Sequence, residues 1–383
     1  MAVLSPSNRS VVEPFHAMDV MASANRLAAQ GRDIISLAVG QPSAKPPLAV
    51  RQVAAAAALE TTTGYTNSLG RDELRAAIAQ HYLDAYDLKV PARRVAVTTG
   101  SSAAFSLAFL AAAEVGERVA ITAPGYPAYR NIIKALSLEC VELPAPDGGF
   151  DLEALAAQHA QDPIKVLLLA SPANPTGSVL SAELLGNIVE FCNEHGIVFI
   201  SDEIYHRLNH VGDDVCALQF SDDVIIINSF SKFYNMTGWR IGWMVLPENM
   251  VRTVERLAQS IYICAPDISQ IAAARAFDAT SELETVREIY RANRAMLLQR
   301  LPAMGFDFAA PPDGAFYAWL DASRFTNDTM SFAHRMLEEA GVATAPGVDF
   351  DPINGSSRIR LSYCGSQEQV AEAIDRIEAW LPD

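Results

Sequence analysis

Positive charge is scarce in this chain. Of 383 residues, 29 are Lys or Arg and 45 are Asp or Glu, a formal net charge of −16. Nucleic acid and anionic membrane surfaces both demand basic patches, so neither is expected as a partner. A small anionic ligand stays open, because a few local arginines outweigh the global field at short range. Cysteine is sparse as well. Cys140, Cys192, Cys216, Cys264 and Cys364 are scattered, odd in number and without a CxxC pair. That argues against a disulfide framework or a zinc site and reads as reduced core thiols of a cytosolic protein, so a cytoplasmic location is expected and no metal. No apolar run reaches the roughly 18 residues of a membrane span. The closest, Ala103 to Ala113, is short and contains Ser106. Met1 to Ser10 holds no apolar stretch of signal-peptide type.

What is present suits a large α/β enzyme. Half of the chain is hydrophobic, and its length allows a sizeable core and two domains. The most informative stretch runs from Ser229 to Gly242. It follows the β-branched run Val224 to Ile227, which reads as a buried strand, so Lys232 falls just past a strand's carboxyl end. Ser229 and Ser231 flank that lysine, and Arg240 follows between two glycines. A lysine amine in a partly desolvated pocket loses its proton more easily and attacks carbonyls. A nearby arginine offers a fork of donors to a phosphate. Together they suggest an aldehyde cofactor carrying a phosphate, which describes pyridoxal phosphate.

Strands and helices alternate from about residue 95 to 232. The expected strands are Val95–Thr98, Val119–Thr122, Val166–Ala170, Ile197–Ile200 and Val224–Ile227, with helices over Ala103–Ala113, Phe150–Gln161 and Ser181–His195. The pattern predicts an open, mainly parallel sheet between helices, which binds ligands beyond the carboxyl ends of its strands. Upstream, helices are expected over Val20–Gln30, Pro47–Glu60 and Arg71–Tyr86, and a strand over Ile34–Val39. Downstream, a long helix from Ser281 to Leu301 leads to a smaller α+β region. That region holds strands at 314–320 and 359–363, helices at 331–340 and 368–380, and a Pro346-Gly347 loop. The expected division is an N-terminal arm over 1–45 serving the small domain, a large domain over 46–280 and a small domain over 281–383.

Several loops after those strands carry chemistry. Thr99-Gly100-Ser101-Ser102 leads from a strand into a helix, the arrangement in which backbone N–H groups and a helix N-terminus cradle an anion. Many βα turns look alike, so the signal alone is weak. Tyr126 stands in a proline-bounded turn and Asn174 in a loop fixed by Pro172 and Pro175. Asp202 closes a buried strand, where it could be a helix cap or a carboxylate for a ring nitrogen. Arg360 lies within a strand, where burial is costly unless it is paired; Arg358 is the better candidate for an ordinary ion pair.

Ser-x-Ser-Lys followed by Gly-Trp-Arg-Ile-Gly, with Asn174-Pro175-Thr176-Gly177 upstream, resembles the class I/II aminotransferases of the fold-type-I pyridoxal phosphate family. The resemblance covers roughly residues 30 to 380 with its signatures in family order. It implies that Lys232 holds the cofactor aldehyde as a Schiff base and later acts as the base. Asp202 would hold the pyridine nitrogen, Tyr126 would stack on its ring, and Asn174 and Tyr205 would bond the phenolic oxygen. Gly100, Ser101, Ser102, Ser229 and Arg240 would bind the phosphate, joined by Tyr65 of a second subunit. The active sites would then be shared across a homodimer. Gly40, Asn174 and Arg360 would take the substrate α-carboxylate.

The same resemblance implies a ping-pong transfer of an amino group from an L-amino acid to a 2-oxo acid. Aspartate-specific relatives place a lysine in the turn after Gly100; here Ser101 and Ser102 stand there, against a dicarboxylate preference. Tyr126, Tyr65 and Phe15 would tolerate neutral or aromatic side chains, and glutamate could still serve as donor. The alternatives are a β-lyase on the same scaffold, a regulator built on a degenerate domain, and a purely structural protein. Filled cofactor positions and the lack of a DNA-binding appendage disfavour the regulator, and six motif positions agreeing in order disfavour the structural protein.

Overall fold

The computed structural model describes residues 4–145 and 148–382, so the first three residues of the expected arm and Asp383 lie outside it. The chain opens with α1 (His16–Ala29), β1 (Ile35–Ser36), α2 (Leu48–Glu60) and α3 (Asp72–Tyr86). A regular alternation follows: β2 (Val95–Thr98), α4 (Gly100–Ala112), β3 (Arg118–Ala123), α5 (Pro127–Ala135), β4 (Glu139–Pro144), α6 (Leu152–Gln161), β5 (Val166–Ala170), α7 (Ala182–His195), β6 (Val198–Asp202) and β7 (Ile225–Ser229). Then come β8 (Gly242–Val245), α8 (Val251–Ile261), α9 (Asp267–Ala273) and the long α10 (Thr280–Ala303). The chain ends with β9 (Asp307–Phe308), β10 (Tyr317–Asp321), α11 (Thr329–Arg335), β11 (Val342–Ala343), β12 (Ala345–Pro346), β13 (Arg358–Ser362) and α12 (Gln367–Trp380).

Seven strands form the main sheet in the order β2-β8-β7-β6-β5-β3-β4. Only β8 runs against the rest, wedged antiparallel between β2 and β7. The central strands are apolar on both faces because helices cover both. Successive side chains therefore enter opposite cores. Leu167 and Leu169 pack with α7 residues such as Leu185 and Ile188, while Val166 and Leu168 pack with Phe105 and Phe109 of α4. Ile226 joins the first core; Ile225 and Ile227 join the second.

A four-stranded antiparallel sheet, β12-β13-β10-β9, carries Trp319 opposite Arg360. The N-terminal segment packs against this C-terminal part: β1 pairs in parallel with β11, and the Asp349 carboxylate accepts from His16 N at 2.8 Å and Ala17 N at 2.6 Å at the start of α1.

Several expectations shift. The strand expected over Ile34–Val39 shrinks to β1, because the parallel ladder with β11 pairs only Ile35 and Ser36. Helix α4 begins at Gly100, not at Ala103, so the small-residue turn is its first helical turn. The helix expected over 331–340 changes from α geometry to a π stretch at Met336–Ala340, ended by Gly341 at φ +71°. Pro346 belongs to a short edge strand, β12. Strands β4 and β8 and helices α5, α8 and α9 went unread from sequence. Asp151 and Ser181 cap α6 and α7, each side chain accepting from backbone N–H of the first turn. The cysteines are free, but Cys140 and Cys264 are only half-buried, so the reading as core thiols holds for Cys192, Cys216 and Cys364.

Candidate active site

Gly100, Tyr126, Asn174, Asp202 and Lys232 all sit at or just beyond the carboxyl ends of β2, β3, β5, β6 and β7. Parallel neighbours bring those ends into one row, so residues far apart in sequence meet in a single pocket. Its walls include Phe15, Met18, Gly40, Ser101, Ser102, Tyr126, Asn174, Tyr205, Lys232, Arg240, Tyr317 and Arg360.

Lys232 is half-buried, and its Nζ donates to Gly40 O at 2.8 Å. Burial lowers its pKa to about 8, a change helped by the charges of Arg360 and Arg240. An appreciable share of the amine is therefore neutral and nucleophilic near neutral pH. Asp202, the last residue of β6, is fully buried. Burial raises its carboxyl to about 7, against the hydrogen bonds it accepts from Tyr129 Oη and from Ile204 N at 3.1 Å. The Ile204 contact closes a turn, and no helix starts at Asp202 for it to cap. The full burial adds something a cap does not need: a carboxylate that gains from a cationic neighbour.

The first turn of α4 has free backbone donors, since Thr99 makes no side-chain cap. The Arg240 guanidinium closes over it. A Cβ on Gly100, at φ +71°, would lie 2.5 Å from Arg240 Nη2, so only glycine admits the arginine there. Arg240 itself holds φ +51°, with Nη1 bonded to Thr237 O at 3.0 Å. Uncapped amides, two serines and an arginine make a cradle for a phosphate-sized anion.

Arg360 in β13 is 2% exposed and lies between the rings of Tyr317 and Phe350, at 4.3 and 4.4 Å. Its Nη1 donates to Asn174 Oδ1 at 2.8 Å and its Nη2 to Ala38 O, while Nε has no partner. No carboxylate among the described residues pairs with it. Arg358, two residues away, bonds Asp321 at 2.6 Å, so the ordinary ion pair falls where expected. A buried guanidinium without a counter-ion, opening on a pocket, asks for an anionic ligand. Because the Asn174 carbonyl faces Arg360, its NH₂ end is left to donate elsewhere.

Four sequence candidates lie outside the pocket wall, one of them the fully buried Asp202, which reaches it through Tyr129. Ser229 is buried behind it, with Oγ 2.9 Å from Ser231 Oγ and 3.2 Å from Ile241 O; Ser231 is the serine that lines the pocket. Gly100 acts through the space it leaves. Tyr65 is 83% exposed and does not line this pocket. Gly40 is glycine for a reason not read from sequence: a Cβ would fall 1.7 Å from Tyr317 Oη. Tyr317 and Tyr129 were both missed. Tyr317 Oη bonds Tyr205 Oη at 2.7 Å, and Tyr129 bonds Asp202. Their signal was only a tyrosine in a strand and a tyrosine at the end of Tyr126-Pro-Ala-Tyr129.

A family model for aminotransferase class I and II matches residues 32–377. The chain is 44% identical over 380 residues to the valine–pyruvate aminotransferase of Mycobacterium tuberculosis, covering 98% of each. It is 34% identical to the (5-formylfuran-3-yl)methyl phosphate transaminase of Methanocaldococcus jannaschii, covering 96% of this chain and 97% of that one. The crystal structure of an aminotransferase from Mycobacterium tuberculosis superposes with a TM-score of 0.95 at 42% identity, over 99% of this chain and all of that one.

Proposed function

The chain belongs to the class I and II aminotransferases, and on that premise we propose that it holds pyridoxal phosphate on Lys232 and moves the amino group of a neutral, apolar L-amino acid to a 2-oxo acid. The pocket fits that cofactor. Lys232 would hold the aldehyde, Asp202 the ring nitrogen, Tyr126 a ring face, and Asn174 and Tyr205 the phenolic oxygen. The α4 amides, Ser101, Ser102 and Arg240 would hold the phosphate, with Ser229 supporting them through Ser231. Once bound, the cofactor supplies an electron sink that makes the substrate Cα–H bond breakable.

The protein's own groups do the rest. Arg360 and the Asn174 amide clamp the α-carboxylate and so orient Cα toward Lys232 Nζ. The Lys232 amine, neutral in part because of its burial, takes the Cα proton as general base. Asp202, behind the pocket-lining Tyr129, would offer its carboxylate to a protonated ring nitrogen. The apolar wall of Phe15, Ala17, Met18, Val39 and Ile204 excludes water. The two half-reactions share one site, which is a ping-pong scheme.

The observation that carries the reading is the buried Arg360, paired with no carboxylate among the described residues, in one pocket with Lys232. The lining holds three cations, Lys232, Arg240 and Arg360, and each is taken by aldehyde, phosphate or α-carboxylate. None is left for a second substrate carboxylate. The name of the valine–pyruvate relative supports the same preference.

We further propose a homodimer with shared sites, supported by exposed Tyr65, Ile261 and Ile263, an apolar patch that a second copy would cover. The arm at 1–45, large domain at 46–280 and small domain at 281–383 remain the division we favour, supported by the β1–β11 pairing. The test is a single-turnover titration of the cofactor-loaded protein with individual L-amino acids and no oxo acid. Loss of the lysine-bound cofactor band with valine or alanine, and far slower loss with aspartate, is expected. Pyruvate release from a β-substituted alanine with the band intact would instead establish the lyase.

A further inference from the structure

Tyr65 stands on a loop, residues 61–71, that has neither strand nor helix to hold it. Yet both of its neighbours are fastened. Gly64 N donates to Asp267 Oδ2 at 3.1 Å, and Thr66 N reaches Cys264 Sγ at 3.4 Å. Behind them, Arg71 forks onto Asp267, with Nε on Oδ1 and Nη2 on Oδ2 at 3.1 Å. Gln270 is fully buried and bridges the loop from within. Its Oε1 accepts from Arg71 N at 2.8 Å, and its Nε2 donates to Thr66 Oγ1 at 3.0 Å and Ala265 O at 2.9 Å. The side-chain ion pair is mutual in effect: Arg71 holds the Asp267 carboxyl below its usual range, and Asp267 raises the Arg71 guanidinium.

The loop is thus ordered at its base by a forked ion pair and a buried amide, while the one aromatic it carries is 83% exposed and has no side-chain partner among the described residues. Ordering of this kind lowers the entropy cost of a contact made by the loop tip. We infer that Asp267 and Gln270, through Arg71, are positioning residues that hold Tyr65 ready for the cofactor site of a second copy of this chain. The inference rests on the shared-site reading above and extends it: a residue of α9 in one subunit sets cofactor affinity in the other. Cys264 and Ala265 lie on the segment that carries exposed Ile261 and Ile263, so the same tie fixes two parts of the apolar patch relative to each other.

The test is subunit complementation. Differently tagged chains are co-expressed and the mixed dimer is purified. Pyridoxal phosphate is titrated in and fixed with borohydride, which marks only chains that keep Lys232. The Asp267→Ala homodimer should need about tenfold more cofactor for half-maximal fixation than the parent. In a dimer of Lys232→Ala with Asp267→Ala, the one lysine-bearing site is completed by an intact loop, so parental affinity should return. In a dimer of the parent with a chain carrying both changes, the weak affinity should persist. The opposite pattern would place the effect of Asp267 in its own subunit and overturn the inference, as would an Asp267→Ala homodimer with parental affinity. Asp267→Asn keeps an acceptor for Gly64 N but loses the ion pair. It should show the same pattern with a shift of about threefold, and it serves if the alanine variant fails to fold or pair. The same crosses with Tyr65→Phe separate the two claims. Tyr65 acting across subunits while Asp267 does not would sink this inference alone, and Tyr65 acting within its own subunit would sink the shared-site reading as well.

Discussion

Replacing Arg360 by lysine keeps the charge and removes the fork. The parent guanidinium bonds Asn174 Oδ1 and Ala38 O and still has N–H groups for a carboxylate. An ammonium at the end of a shorter stem cannot reach all three. Each charge-assisted hydrogen bond is worth about 1.5–3 kcal/mol, and a buried acceptor left without a donor costs about 1–3 kcal/mol more. Allowing for partial rearrangement, the loss is about 3–4 kcal/mol, or roughly 10²–10³ in kcat/KM. Because every amino-acid and oxo-acid substrate presents the same carboxylate, both half-reactions should fall together. Cofactor affinity should change little, since Arg360 does not touch the phosphate cradle. The assay is single-turnover kinetics of Arg360→Lys with valine and with pyruvate, beside an amine that lacks the carboxylate. Parent and variant should act on that amine equally slowly. A drop below tenfold with valine, or an equal proportional drop with the amine, would refute the assignment of Arg360 as the carboxylate clamp.

Further outcomes follow from the same geometry. Burial raises the folded-state Asp202 carboxyl to about 7, above its unfolded value, so its contribution to stability is lost as pH rises toward 7. The cofactor-free Asp202→Asn variant should therefore melt higher than the parent at pH 8, with the gain shrinking as pH falls toward 4, while its turnover drops by about 10³. Equal melting temperatures across that range would contradict the buried, unpaired carboxylate. Gly40→Ala forces a Cβ into the Tyr317 hydroxyl and should destabilise the fold by about 1–3 kcal/mol in denaturant titration. Adding Tyr317→Phe should recover part of that loss, because the clashing oxygen is gone; no recovery would mean the strain lies elsewhere.

Much of the site was legible because its residues sit in short motifs at strand ends. Lys232, Asn174 and Asp202 each follow an apolar run that reads as a strand, and parallel strands bring their carboxyl ends together without further information. Arg360 was set apart from Arg358 by its place in the motif, and in the structure it is Arg358 that pairs with Asp321. What escaped was long-range. Tyr129 reaches Asp202 across 73 residues, Tyr317 reaches Tyr205 across 112, and Asp349 caps α1 from 332 residues away. No local pattern encodes such meetings. Strand β8 escaped for a different reason: its run Gly242-Trp-Met-Val245 follows the lysine motif without the spacing of a crossover helix, which is why it runs antiparallel to its neighbours. Gly40 was noticed as a ligand contact; that a side chain there would meet the Tyr317 hydroxyl was not legible.

The central claim is that Lys232 is the residue that carries the cofactor. It is tested most directly by loading the protein with pyridoxal phosphate, reducing with borohydride and mapping the fixed pyridoxyl group by peptide mass spectrometry. One label per chain on Lys232, absent in Lys232→Ala and lost when valine is added before reduction, is the expected result. A label on another lysine, or Lys232→Ala fixing as much cofactor as the parent, would contradict the account.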